Sequence, residues 1–156
     1  KWPNHLVMQG RKLCGVLTQL DLEAEPGLPR SVIVGIGTNV LQTEADFGPE
    51  VAPIAISLVQ ALGQAPARTA LAKEILRAMD DLYRDFPQEK AQYLEQYRRD
   101  CLTLGRPVTV LRSSGARNGF ATGINEDFSL TVRWEDGTEE ALSAGEVSVR
   151  GLYGYV

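Results

Sequence analysis

Between Pro107 and Arg150 the chain is cut into short alternating runs of four to seven residues, punctuated by turn residues. Val108–Leu111, Gly119–Ile124, Phe128–Trp134, Glu139–Leu142 and Glu146–Arg150 are those runs. Asn118-Gly119, Asn125-Glu126-Asp127 and Asp136-Gly137 punctuate them, and Asp-Gly is a strong hairpin signal because both residues tolerate a positive φ. Five strands this short and this evenly spaced predict a small β-barrel. Nothing before Pro107 has that rhythm, so a domain boundary is placed near residue 104, giving parts 1–104 and 105–156.

The first part mixes periods. Leu6-Val7-Met8 and Leu13–Leu20 read as strands joined at Gln9-Gly10-Arg11, with Gly10 free to take a positive φ. Residues 21–30, with Pro26, Gly27 and Pro29, read as a loop, and Ser31–Gly37 as a β-branched strand. Val51, Ile54, Ala55, Leu58, Val59 and Leu62 repeat at helical spacing up to Gly63. Leu71, Ile75, Met79, Leu82 and Phe86 form a second stripe that Pro87 is expected to stop. Tyr93, Leu94, Tyr97 and Cys101 form a third. The fold class is therefore α+β.

Composition excludes several functions. Sixteen Lys and Arg against 20 Asp and Glu give a net charge of −4, which does not favour nucleic acid as main partner. No apolar run reaches the ~18 residues of a membrane span. One His and two distant Cys, Cys14 and Cys101, make no zinc motif and point to buried thiols of a cytoplasmic protein.

Three stretches can carry chemistry. Lys1-Trp2-Pro3-Asn4-His5 places an amide and the only imidazole at a proline-restrained bend. Asn4 can orient a ligand or close a turn beside a core Trp2, and His5 is read as structural ahead of catalytic. Lys12 lies among apolar residues between Gly10 and Gly15. It is either a fixed cation for a phosphate or developing oxyanion, or a solvated turn lysine beside a solvated or paired Arg11. Gly35-Ile36-Gly37-Thr38-Asn39 leaves a strand as a glycine turn that can admit a ligand to the backbone, or is simply tight. It lacks the Gly-Lys-Ser/Thr of a phosphate loop and the third Gly of a dinucleotide fingerprint. Arg150, at the end of the last short strand, is a phosphate-binding guanidinium or a surface arginine. Trp134, Tyr153 and Tyr155 are expected to pack the barrel or its edge.

Lys-Trp-Pro-Asn, then Arg-Lys-Leu-Cys-Gly-Val-Leu, then Val-Gly-Ile-Gly-Thr-Asn-Val, in this order, resemble biotin protein ligases, as does the terminal Gly-Glu-Val-Ser-Val-Arg. The resemblance covers the whole chain. It implies part of a mixed-sheet, class II synthetase-like ligase domain packed with helices, followed by an SH3-like domain. It implies a ligase that joins biotin to ATP as biotinyl-5′-AMP with Mg2+. The biotinyl group then passes to a lysine of the biotin carboxyl carrier protein of acetyl-CoA carboxylase or a related enzyme. By resemblance, Lys12 touches the biotin carboxyl end and the adenylate phosphate, and Asn4 orients the nucleotide. Gly35, Gly37 and Asn39 line the adenosine pocket, Gly15 lets the ligand lie on its strand, and Arg150 reaches ATP. A side-by-side homodimer through the sheet is compatible with the resemblance.

Two departures accompany it. The family usually has Asp where this chain has His5. A dense motif at residue 1 without an initiator Met is read as the C-terminal part of something longer. The family's glycine- and arginine-rich biotin loop and any DNA-binding domain would precede it, so repressor activity is not expected here. A sheet lacking its first strands is expected to aggregate in isolation. The alternative is a degenerate, non-catalytic ligase-like module acting in binding or dimerisation.

Overall fold

A computed structural model describes residues 1–22, 29–144 and 148–151. The expected loop at 21–30, Gly145-Glu146-Val147, and Tyr153 and Tyr155 lie wholly or largely outside the described residues. The chain forms two compact units, one of Asn4–Ala65 and one of Lys1–Pro3 with Pro66–Val156. The long helix Arg68–Asp100 groups by contact with the strands that follow it, whereas the boundary read from sequence falls after that helix.

In the first unit β1 (His5–Met8), β2 (Arg11–Leu22) and β3 (Pro29–Thr38) form an antiparallel sheet in that order. Gln9 and Gly10, with φ of 51° and 74°, make the tight turn between β1 and β2. β2 and β3 run past the loop limits read from sequence. Their distal halves carry β-branched and Leu side chains that favour pairing. Those side chains are uncovered: Leu17 and Ile33 on one face, and Leu20 and Val32 on the other, are each more than half exposed.

The single helix expected over 51–62 is instead α1 (Glu44–Val51) and α2 (Leu58–Leu62). The intervening segment pairs with the start of β2: Lys12 N–H donates to Ile54 O at 2.8 Å, and Ile56 N–H donates to Lys12 O at 2.9 Å. Ile56 is fully buried there, and Ser57 caps α2 by accepting from Gln60 N–H.

In the second unit α3 (Arg68–Asp100) runs for 33 residues straight through Pro87, which does not stop it. A proline removes one helical hydrogen bond. Ring packing beside it offsets part of that loss: Phe86 lies 5.9 Å from Tyr93 and 6.1 Å from Phe128 between ring centroids. The second and third helical stripes of the sequence are one helix.

β4 (Pro107–Arg112), β5 (Gly115–Ile124), β6 (Leu130–Trp134), β7 (Glu139–Leu142) and β8 (Ser148–Gly151) make an antiparallel sheet of order β7-β6-β5-β4-β8, in an SH3-like domain. Asn118-Gly119 is interior to β5 and is not a turn; the β5 strand begins at Gly115. The Asp136-Gly137 hairpin forms as expected, with Gly137 at φ 84°. Val108 and Val110, and Leu130, Val132 and Trp134, alternate into the core as period-two strands should. Trp2 joins them, 1% exposed, its ring N–H donating to Phe128 O and its backbone N–H to Thr103 Oγ1, both at 3.0 Å. Both cysteines are free and buried. Among the described residues no helix is long and apolar enough to cross a membrane.

Candidate functional site

The chemistry concentrates on one face of the β1–β2–β3 sheet. Cross-strand partners share a face, and faces alternate along a strand. His5 pairs with Gly15 and Leu6 with Cys14, but Val7 pairs with Lys12, so β2 carries one extra residue, Leu13. That bulge turns Lys12 onto the face of Gly15 and His5; in an unbroken register it would point the other way. The β2–β3 register then adds Gly37 opposite Gly15, and Gly35 opposite Leu17, to the same face.

The result is an open cleft of about 530 Å³, lined by Asn4, His5, Lys12, Gly15, Val16, Leu17, Gly35, Ile36 and Gly37. At its edge Lys12 Nζ lies 3.1 Å from His5 Nε2. An ammonium only donates, so this contact makes Nε2 the acceptor and places the ring proton on Nδ1. The lysine is held from behind as well, since its backbone N–H and C=O are both bonded to the Ile54–Ile56 segment.

The glycines form the floor. A Cβ on Gly15 would meet Lys12 Cε and Nζ at 3.3 Å, so this glycine makes room for the lysine side chain. A Cβ on Gly35 would meet nothing closer than Leu17 O at 3.6 Å, and one on Gly37 nothing closer than Gly15 O at 3.9 Å. Neither has a positive φ. The protein's own packing therefore does not require glycine at 35 or 37; what glycine provides there is uncovered backbone against which a ligand can lie.

The other expected site residues fall differently. Asn4 lines the cleft, and its Nδ2 donates to Val16 O at 2.6 Å, which ties the bend to β2. Asn39 lies outside the cleft lining: its Nδ2 donates to Lys12 O at 3.3 Å and Ile56 O at 3.2 Å, so it braces the backbone behind Lys12. Arg150 is exposed on β8, opposite Thr109 in register, and belongs to the second unit. The His5–Lys12 contact was not anticipated from sequence. Only the register, with its bulge, brings residues seven apart together across the hairpin. Among the described residues no three His, Cys, Asp or Glu gather as a metal site, and the cleft is lined by no carboxylate.

Residues 103–150 match the biotin protein ligase C terminal domain. A bifunctional ligase/repressor BirA of Bacillus spizizenii is 33% identical over 145 residues, covering 92% of this chain and 44% of that protein. A biotin–[acetyl-CoA-carboxylase] ligase of Mycobacterium tuberculosis is 32% identical over 148 residues, covering 94% and 51% respectively. Among solved structures, the apo biotin protein ligase from Aquifex aeolicus superimposes with a TM-score of 0.82 at 26% identity, over 96% of this chain and 63% of that one. The same organism's ligase in complex with biotin and ATP gives 0.78 at 25% identity, over 96% and 60%. The chain thus spans about half the length of the curated relatives it matches.

Proposed function

From the premise that this chain is homologous to biotin protein ligases along nearly its whole length, we propose that it forms one wall of an ATP-dependent biotin ligase active site, with Lys12 as its working cation. The observation that carries this reading is the cleft itself: one ammonium at the rim of a glycine floor in which Gly35 and Gly37 are not needed for the fold's own packing.

The chemistry fits that wall. In the first half-reaction a biotin carboxylate oxygen attacks the α-phosphorus of ATP and pyrophosphate leaves. Both reactants are anionic, so a fixed cation between them lowers the barrier, and holding them in contact supplies much of the rest. Lys12 can donate to the carboxylate and to the phosphate oxygens as charge moves from one to the other. Gly15, Gly35 and Gly37 leave the backbone open to the adenylate, and Asn4 fixes the bend that carries His5. In the second half-reaction an acceptor lysine amine attacks the biotinyl carbonyl of the mixed anhydride and AMP departs. Asn39 acts here as a positioning residue through the Lys12 backbone, a narrower role than direct contact with adenosine. The residues of this cleft do not fit a magnesium site, so no step is derived through that ion.

The partner we propose is the biotin carboxyl carrier protein of acetyl-CoA carboxylase or a related enzyme, in the cytoplasm. Repressor function, which the names of some relatives carry, is not part of this reading. We also propose a domain boundary near residue 104; the domain match beginning at residue 103 supports it. A second reading, a non-catalytic ligase-like module, draws on His5 at a position where the family usually has Asp.

The test is incorporation of labelled biotin into a carrier domain. The enzyme is the polypeptide that joins this sequence to the counterpart of its relatives' remaining length. Wild type should label one carrier lysine, and Lys12→Ala should not. Absence of labelling by wild type would favour the non-catalytic module.

A further inference from the structure

An ammonium and an imidazole in direct contact form a unit whose charge depends on pH. We propose that His5 is a positioning residue for Lys12 whose protonation adds a second cation to the cleft, so that binding of an oxyanion there is linked to uptake of a proton. This rests on the reading of Lys12 as the cation that meets substrate oxyanions.

The geometry supplies the argument. At 3.1 Å the neutral ring accepts from Lys12 and fixes the direction of its amine. Once protonated, the ring has only donors, and two cations at that separation repel. An oxyanion that accepts from both removes the repulsion. Such an anion has a place to sit, because both side chains converge over Gly15. A Cβ on that residue would lie 3.3 Å from Lys12 Nζ and 3.7 Å from His5 Cδ2.

Of the residues lining the cleft, only His5 and Lys12 titrate or carry charge; β3 contributes Gly35, Ile36 and Gly37. Among the described residues β1 pairs with β2, and Arg11 on β2 stands opposite Met8, at the far end of β1 from His5. Imidazoles change charge between about pH 5 and 8. A family Asp at this position would be negative throughout that range and would lack it.

The test uses the polypeptide that carries this sequence with the rest of the ligase length, and sulfate, whose charge is constant over the relevant pH range. Wild-type affinity for sulfate should rise about tenfold between about pH 8 and pH 5.5, the increment of one added charge-assisted hydrogen bond. His5→Gln should show a change of less than about twofold over the same range. The imidazole Cε1–H resonance of His5, assigned by its loss in His5→Gln, reports directly. Adding sulfate near neutral pH should move it toward the protonated position, and Lys12→Met should suppress that movement. Should His5→Gln fail to fold, His5→Asp serves: sulfate should bind more weakly than to wild type at every pH and without the rise. A Lys12-dependent affinity that is flat with pH, or that rises equally in His5→Gln, overturns the inference and leaves Lys12 as the anion site. Sulfate binding that is absent from wild type, or unaffected by Lys12→Met, overturns the Lys12 reading and this inference with it.

Discussion

Replacing Gly15 by Ala separates the role of the cleft from the stability of the fold. The new methyl would sit 3.3 Å from Lys12 Cε and Nζ, tighter than an ordinary carbon contact by a few tenths of an ångström. The neighbour is the end of a flexible side chain, so it is the lysine that moves. Moving Nζ away stretches its 3.1 Å contact with His5 beyond hydrogen-bonding range. That loss is worth about 0.5–1.5 kcal/mol net. Ala in place of Gly at an extended position returns about 0.4–1 kcal/mol through the unfolded chain. The two nearly cancel, so the unfolding midpoint should change by less than about 4 °C. Catalysis has no such compensation, because a reacting group misplaced by about 1 Å can cost on the order of 100-fold. Biotin-dependent exchange of pyrophosphate into ATP, measured beside thermal unfolding, should therefore fall about 10- to 100-fold in a protein that remains folded. Full exchange activity in stably folded Gly15→Ala would refute the idea that Lys12 acts from its position over Gly15.

Gly119→Ala should do the opposite and act on the fold. Its Cβ would lie 2.5 Å from Val132 Cγ1 and 2.9 Å from both Arg133 O and Trp134 Cε3, in a buried sheet that cannot give way, so a loss of about 3 kcal/mol is expected in urea unfolding. Tyr97 predicts an alkaline transition. Burial, with a smaller contribution from Cys101, pushes its phenol up from the ordinary value. A raised folded value stabilises below the unfolded one and loses that contribution as pH climbs, so stability should decline above about pH 10. Tyr97→Phe, which also removes the hydrogen bond to Pro3 O, should be less stable by about 1 kcal/mol at neutral pH and should decline less above pH 10.

The second unit was legible in the sequence because period-two alternation and the Asp136-Gly137 turn are local signals, and Leu130, Val132 and Trp134 duly face inward. The helices were less so. Val51, Ile54, Ala55 and Leu58 have helical spacing, yet residues 54–56 pair with the Lys12 backbone, a tertiary contact no window contains. The Ser57–Gln60 capping box that starts α2 was there to be read. Pro87 misled for the converse reason, since the ring contacts packed beside it reach as far as Phe128. At the site, the residue types were visible but their arrangement was not. One bulged residue, Leu13, decides whether Lys12 faces the glycine floor, and single-residue register shifts leave no mark on hydrophobic periodicity.

The central claim is that Lys12 supplies the cation on which biotin activation depends. Its only described side-chain bond is to His5, so removing the side chain should cost no more than about 0.5–1.5 kcal/mol and leave the protein folded. The direct measurement is biotin-dependent pyrophosphate–ATP exchange in Lys12→Ala, in the polypeptide that carries this sequence with the rest of the ligase length. A folded variant with exchange reduced at least about 100-fold is the predicted result, corresponding to about 2.7 kcal/mol of lost transition-state stabilisation. Exchange at the wild-type rate would contradict it.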